Sequence, residues 1–344
     1  MGFFNRRLRH GMNMLIEYEK ALAVFNRFQE NQKIPYLHPY YVAADAQRDG
    51  GLTPGFFVYE EEKSVFYHPF HIAPVAGTGF FDIQSAYGYG GPLANSKEAG
   101  FLTRAWSAHC AWCKQQNVLA EFIRFHPLLH NWCYYHGEVV EERETVWVNL
   151  CTNHVSSAYR ELARRCVRKA KKNGLTVEWW SGDQFIKIFP LLYDIFMTEL
   201  NADTFYHFSN EYFAGILSWE KALCAVCKRG DEVVSAGVFL ADADAMEYHL
   251  SASSPAAREL GSVYLLMDEA ARRGQQLACR TLHLGGGTDN RSDNPLLFFK
   301  SRFSDLRASF RIGKKIYFSE DYDQMKRRWQ EKQGVVAHRV LFYR

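Results

Sequence analysis

The chain has 344 residues, 47% of them hydrophobic and 23% charged, with a formal net charge of +3. That balance excludes an intrinsically disordered chain, and the charge is too mild to mark a nucleic-acid binder by itself. The length accommodates two cores, so two domains or a duplicated unit are expected, and no apolar run reaches the roughly 20 residues of a membrane span.

The opening stretch, "MGFFNRRLRHGMNMLIEYEKALAVF", sets basic residues ahead of apolar ones, but Glu17, Glu19 and Lys20 interrupt any signal-peptide core. Position 6 is Arg, not the Ser or Thr that favours myristoylation of Gly2. The stretch reads as an amphipathic helix packed on a core of a cytoplasmic protein, with peripheral membrane contact as the alternative. Eight cysteines without a secretion signal read as reduced thiols. The pairs Cys110/Cys113 and Cys224/Cys227 fall in a helical and a strand pattern, where CxxC does not form the turn that zinc sites use, so they read as small buried hydrophobes and no metal is expected.

Next come a hairpin, "FFVYEEEKSVFYHPFHIA", a strand, "FFDIQS", and a glycine-rich loop, "SAYGYGGPLAN", whose Tyr87 and Tyr89 are candidates for a stacking wall on the acceptor side or for ordinary packing. Residues 1–150 hold 13 Lys/Arg against 15 Asp/Glu, and the remainder holds 28 against 23, so the positive charge belongs to the second half. There the order is strand "TVWVNL", basic helix "SSAYRELARRCVRKAKKNG", strand "LTVEWW", helix "GDQFIKIFPLLYDIFMTEL" and helix "NEYFAGILSW". Strands "ALCAVCKR", "EVVSAGVFLAD" and "AMEYHLSAS" follow, then helix "GSVYLLMDEAARRG", strand "RTLHLGG", helix "PLLFFKSRF" and a last strand pair, "LRASFRIGKKIYFS". Hairpins broken by helices indicate a mixed α/β sheet rather than a doubly wound nucleotide fold.

One offset of 168 residues aligns Val58 with Val226, Phe80 with Tyr248, Ser85 with Ser253 and Pro127-Leu128-Leu129 with Pro295-Leu296-Leu297. A single offset serving several elements indicates an internal duplication. Only the second copy carries the triglycine Gly285, Gly286, Gly287 and then Lys300 among phenylalanines, so chemistry is expected there. Bare backbone at a strand end lets a ligand approach, although a wide turn would look the same.

Arg258, Gly261 and Ser262 mark a loop entering a helix N-terminus, where free N–H groups hold phosphate, or an ordinary capping loop. Arg160, Arg164 and Arg168 step by four along a run with one internal acid, Glu161. The run reads as a solvated face or as a polyphosphate contact that relieves uncompensated repulsion. His249 and His283 lie on strands and read first as core histidines. His207, on a helix edge or loop, and His249 are carried as acceptor-side candidates. No Ser/His/Asp triad or H-E-x-x-H motif is present.

Taken together, "YHLSASSPAARELGSVYLLMDEAARRG", "LHLGGG", "PLLFFKSRF", "YRELARRCVRKAKKNGL" and "YGYGGPL" resemble the FemAB family, most strongly from about Val155 to Gly313. The resemblance implies two tandem GNAT-like domains, each a mixed, largely antiparallel sheet flanked by helices. Residues 1–150 would form the acceptor side and 151–344 the donor and catalytic side, with the C-terminal tail packing back on the first domain. It implies acyl transfer, usually of an amino acid from aminoacyl-tRNA to an amine on a peptidoglycan precursor, with acyl-coenzyme A as donor in wider relatives. By the same resemblance Lys300, after Phe299, stabilises the developing oxyanion and the leaving 3′ oxygen, and Arg164 or Arg168 contacts acceptor phosphates. Two features depart from the family: there is no 40-residue helical hairpin, and Asn95 stands where an acid is usual after Gly91-Pro92. The proton acceptor is open among Asp82, Asp203, Asp289 and the substrate itself.

Three functions are thus set out. The first is an aminoacyl or acyl transferase with aminoacyl-tRNA or acyl-CoA as co-substrate, no tightly bound cofactor, a nucleotide- or lipid-linked envelope precursor as acceptor, and no DNA. The others are a coenzyme A-dependent N-acyltransferase of a sugar or small amine, and a non-catalytic glycan- or RNA-binding protein on the same scaffold.

Overall fold

The structure is a computed structural model that describes residues 15–291 and 293–344. The first part of the expected opening helix, to residue 14, lies outside these. Two compact units divide the chain: residues 1–32, 36–142 and 310–344 form the first, and residues 33–35 and 143–309 the second.

In the first unit α1 (Tyr18–Phe25) buries Ala21, Val24 and Phe25, the spacing of one helix face. Helix α2 (Pro39–Asp45) starts with proline at its first position, and the His38 ring caps it by accepting from Tyr40 N. Strands β1 (Thr53–Glu61) and β2 (Ser64–Pro74) form the expected hairpin, turning at Glu62 with positive φ. After β3 (Phe81–Gln84) and the short β4 (Leu93–Ala94) come α3 (Ala99–Gln115), β5 (Val118–Arg124) and β6 (Glu138–Asn149). β1, β2 and β3 pair antiparallel, and β3 pairs parallel with β5. Phe57, Phe66, Phe70, Phe101, Trp106 and Trp112 make the core strongly aromatic.

β6 passes from the first unit into the second, where its end pairs antiparallel with β11. The second unit continues with α4 (Glu161–Lys172), β7 (Leu175–Trp180), α5 (Gly182–Phe185), α6 (Phe189–Glu199) and α7 (Asn210–Leu217). The single helix expected over "GDQFIKIFPLLYDIFMTEL" is interrupted between α5 and α6, because Pro190 at the start of α6 cannot donate to the preceding turn. Then follow β8 (Ala222–Arg229), β9 (Glu232–Asp242), β10 (Ala245–Ser253), α8 (Pro255–Glu259), α9 (Ser262–Gln276), β11 (Thr281–Gly286), α10 (Pro295–Lys300) and β12 (Arg307–Ile316). The sheet order is β6-β11-β10-β9-β8-β7, with β10 and β11 parallel and the other pairs antiparallel. Helix α9 covers it with Leu265, Leu266, Ala270 and Ala271. Gly274 lets the helix approach closely, since a Cβ there would lie 2.6 Å from Leu150.

β12 in turn runs back into the first unit, where Ile312–Ile316 pairs antiparallel with β5. The sequence suggested a strand pair here, but Gly313 serves close packing instead of a turn: a Cβ on it would meet Phe125 and Tyr135 at 2.7–2.8 Å. Helix α11 (Ser319–Gln333) and the C-terminal segment close over Leu119 through Tyr322, Leu341 and Phe342. Because β6 and β12 each change unit, the divisions fall at 142/143 and 309/310 instead of at a single cut at 150/151.

Both units are mixed, largely antiparallel sheets flanked by helices, and the chain twice repeats the order three strands, helix, strand, long strand, with the short β4 added in the first copy and the short helices α8 and α10 in the second. The offset is 168 at the starts of β2 and β9 but 163 at those of β5 and β11, so the copies differ mainly in the loop before the helix.

Candidate active site

In the second unit β10 and β11 pair only over Ala245–Glu247 and Thr281–His283, although both strands run further. Each carries a bulge just beyond that pairing, His249 being the extra residue against β9 and Leu284 the extra residue against β6. Bulges bend a strand and re-aim its side chains, so two parallel neighbours bulged at one level draw apart. The triglycine sits where they part. Gly285 has φ +75°, which follows the bulge. A Cβ on Gly286 would lie 2.8 Å from the Glu144 carbonyl, and one on Gly287 2.6 Å from the Asn294 amide. Glycine is therefore required at all three positions by the backbone and its neighbours.

Lys300 reaches into this gap from the last position of α10. Asn294 starts that helix, its Oδ1 accepting from Leu296 N and Leu297 N while its Nδ2 donates to Thr288 and Asp289. The Lys300 side chain is buried; its Nζ donates to the Gly286 carbonyl at 2.7 Å on β11 and lies 5.8 Å from the ring centre of Tyr248 on β10. Arg143 donates to the neighbouring Gly287 carbonyl at 2.8 Å. Burial, with a smaller push from the Arg143 charge, brings the lysine pKa from 10.5 down to about 7. The ammonium is thus held in a dry site, with little water to move aside when charge develops nearby. Phe299 packs edge-on against Tyr264 and Phe303 and fixes the turn that aims Lys300.

Arg143 offers a direct check. Arg143→Met removes a like charge, so the Lys300 pKa rises, and the alkaline limb of a pH–rate profile moves up in pH. A profile unchanged by the substitution would disprove the coupling.

At the start of α9, Gly261 has φ +84° and approaches the Cys166 carbonyl so closely that a Cβ would lie 2.8 Å from it. This N-cap makes no side-chain hydrogen bond. The next residue, Ser262, is fully buried, and its hydroxyl finds no hydrogen-bond partner among the described residues. The "SPAARELGS" loop folds as short helix α8, on which Arg258 donates to the Ser253 carbonyl, pairs with Glu199 at 3.5 Å and lies over the Phe196 ring.

The basic run is more compensated than the local sequence indicates. Arg160 pairs with Asp305, Arg164 and Arg168 both pair with Glu161, and Lys171 lies near Asp268 and Glu269. The expectation of uncompensated repulsion is therefore corrected: the one internal acid, Glu161, serves two arginines, and the other partners come from distant sequence. His207 pairs with Asp194 at 3.0 Å and lines a groove of about 770 Å³ with Tyr193, Phe208, Glu211 and Phe213. Phe208 stacks on Tyr212, whose hydroxyl meets His249 Nε2 at 2.8 Å, which joins the groove to β10. Among the open proton acceptors, Asp203 caps a short turn through Phe205 N, and Asp289 is engaged by Asn294 and Arg291.

In the first unit Tyr89 packs edge-on against Tyr36, His126 and Phe310, and Tyr87 is tied through its backbone to Asp45 and Tyr41. Both are half-buried. Asp82 is buried and paired with Arg344, burial raising its pKa to about 6.

Residues 157–293, which contain α9 and the parting strands, match the acetyltransferase (GNAT) domain family. This stretch is a GNAT-type acyltransferase domain. The fold of the chain is also that of a solved structure named FemX, with a TM-score of 0.69 at 12% identity, covering 90% of this chain and 98% of that one. The C-terminal domain of a putative lysylphosphatidylglycerol synthetase from Agrobacterium fabrum gives 0.58 at 13% identity, covering 91% and 98%. L-PGS from Bacillus licheniformis gives 0.56 at 15%, covering 88% and 93%. No curated protein matches the sequence. No helix among the described residues is long and apolar enough to cross a membrane. Arg143 and Tyr248 escaped sequence reasoning: Arg143 is far from Lys300 in the chain, and the aim of Tyr248 depends on a bulge.

Proposed function

We propose that the GNAT domain transfers an aminoacyl group from aminoacyl-tRNA to an amine of a nucleotide- or lipid-linked envelope precursor. The acceptor nitrogen attacks the ester carbonyl, the carbon–O3′ bond breaks, and the amine proton ends on the departing 3′ oxygen. Lys300 carries the reading, because a buried ammonium between two parting strands matches a passing negative charge on the carbonyl oxygen and then on O3′. The fold likeness to a lysylphosphatidylglycerol synthetase supports an aminoacyl group and a lipid-linked acceptor. Arg160, Arg164 and Arg168 would meet phosphates by exchanging their present carboxylate partners. His207 and His249 would line the acceptor path.

A second reading takes acyl-coenzyme A as donor. The start of α9 favours it, since a helix N-terminus without a side-chain cap and a buried Ser262 hydroxyl that has no partner among the described residues suit a pyrophosphate. Arg258, Gly261, Ser262 and the triglycine would then form the donor side. Thermal shift and filter retention with charged tRNA, uncharged tRNA and coenzyme A thioesters at two salt concentrations separate the readings. Salt-sensitive preference for charged tRNA supports the first, and saturable coenzyme A binding without tRNA binding replaces it with the second.

A further inference from the structure

The first unit holds a polar cluster that the acyl-transfer site does not use. His68 on β2, His109 on α3 and Glu121 on β5 are all fully buried, inside the aromatic core. Their ligating atoms lie within 4.8 Å of one another. His68 Nε2 is 2.8 Å from Glu121 Oε1, and His109 Nε2 is 4.0 Å from the same oxygen. Cys113, one turn along α3 on the same face, brings its Sγ to 3.7 Å from His109 Nε2. The only hydrogen-bonding neighbour of His109 among the described residues is this thiol, at 3.7–3.9 Å. A buried ring with no short hydrogen bond is expensive unless something else takes its lone pair.

The other carboxylate oxygen is already held. Tyr317 donates to Glu121 Oε2 at 2.8 Å and Tyr135 at 3.4 Å, the outer-shell support that orients a ligating carboxylate. Phe57, Phe70, Trp106 and Trp112 surround the His109 ring and exclude water.

We propose that His68, His109, Glu121 and Cys113 bind one divalent transition metal ion of the zinc class as a closed structural site. Two imidazoles, a carboxylate and a thiol form a donor set suited to tetrahedral zinc. With metal–ligand bonds of about 2.0–2.3 Å, tetrahedral ligand atoms stand roughly 3.2–3.7 Å apart; the His68, His109 and Glu121 atoms, all within 4.8 Å of one another, need only small side-chain rotations to reach this, and Cys113 would turn its Sγ inward from its place beside His109. The cluster is not legible as a motif, because its members come from three separate elements.

The test uses the full chain purified without chelator, with elemental analysis, followed by exchange into cobalt chloride. The expected results are close to one zinc per chain, visible d–d bands of tetrahedral cobalt, and a near-ultraviolet thiolate-to-cobalt band that Cys113→Ser removes. Tyr317→Phe, which leaves every ligand in place, is expected to weaken metal affinity by about 10- to 100-fold. Wild-type protein that carries no stoichiometric metal and gives no cobalt bands would overturn the site. So would cobalt bands lacking the thiolate transition, since the fourth ligand would then be wrong.

Discussion

Lys300→Met should abolish most acyl transfer and at the same time make the protein more stable at neutral pH. Loss of a preorganised cation at a developing oxyanion typically costs on the order of 100-fold in turnover. The stability gain follows from linkage. Folding lowers the lysine pKa from 10.5 to about 7, so between those values the unfolded chain binds a proton that the folded chain lacks. Stability attributable to this residue is therefore lowest below pH 7 and rises with pH across the window. Methionine removes the buried charge, a change worth roughly 1–4 kcal/mol in comparable cases, against about 1 kcal/mol for the lost hydrogen bond to Gly286. Urea melts at pH 7 and pH 10 check this: the variant should lead at pH 7 and lose most of its lead at pH 10. A variant that is less stable at pH 7 would mean that the ammonium is a structural tie and not a strained functional group.

The second large effect is expected at Gly286. In Gly286→Ala the new Cβ meets the Glu144 carbonyl, which is backbone and cannot swing aside, so β11 must shift against β6. Overpacking of this kind costs about 1–3 kcal/mol. It also moves the carbonyl that holds Lys300, so turnover should fall at least about 10-fold while substrate binding remote from the gap is kept. A thermal melt combined with separate determination of kcat and KM distinguishes the two parts. A large loss of stability with normal turnover would show that the position of the carbonyl does not matter to the chemistry.

These residues also mark how far the sequence could be read. The triglycine and Lys300 were visible as an anomaly, because a strand that gives up its side chains and a lysine among phenylalanines are both locally unexpected. Their relation was not visible, since it depends on paired bulges at His249 and Leu284 that no spacing encodes. The hairpins and α9 follow from alternation and helical period, which are local. The basic helix misled because Glu161 serves two arginines at once and the other compensating acids lie far along the chain, Glu269 98 residues from Lys171 and Asp305 145 residues from Arg160. Gly313 misled because glycine marks close contact as readily as it marks a turn.

The routing of β12 has a consequence during synthesis. β5 is made early, yet it pairs with Ile312–Ile316. The first unit therefore waits, with one flank of β5 unprotected, until Ile312–Ile316 has left the ribosome. Such long-range closure is slow and leaves an exposed strand edge open to wrong partners. A nascent chain of this protein has good reason to meet a chaperone before its first unit is complete.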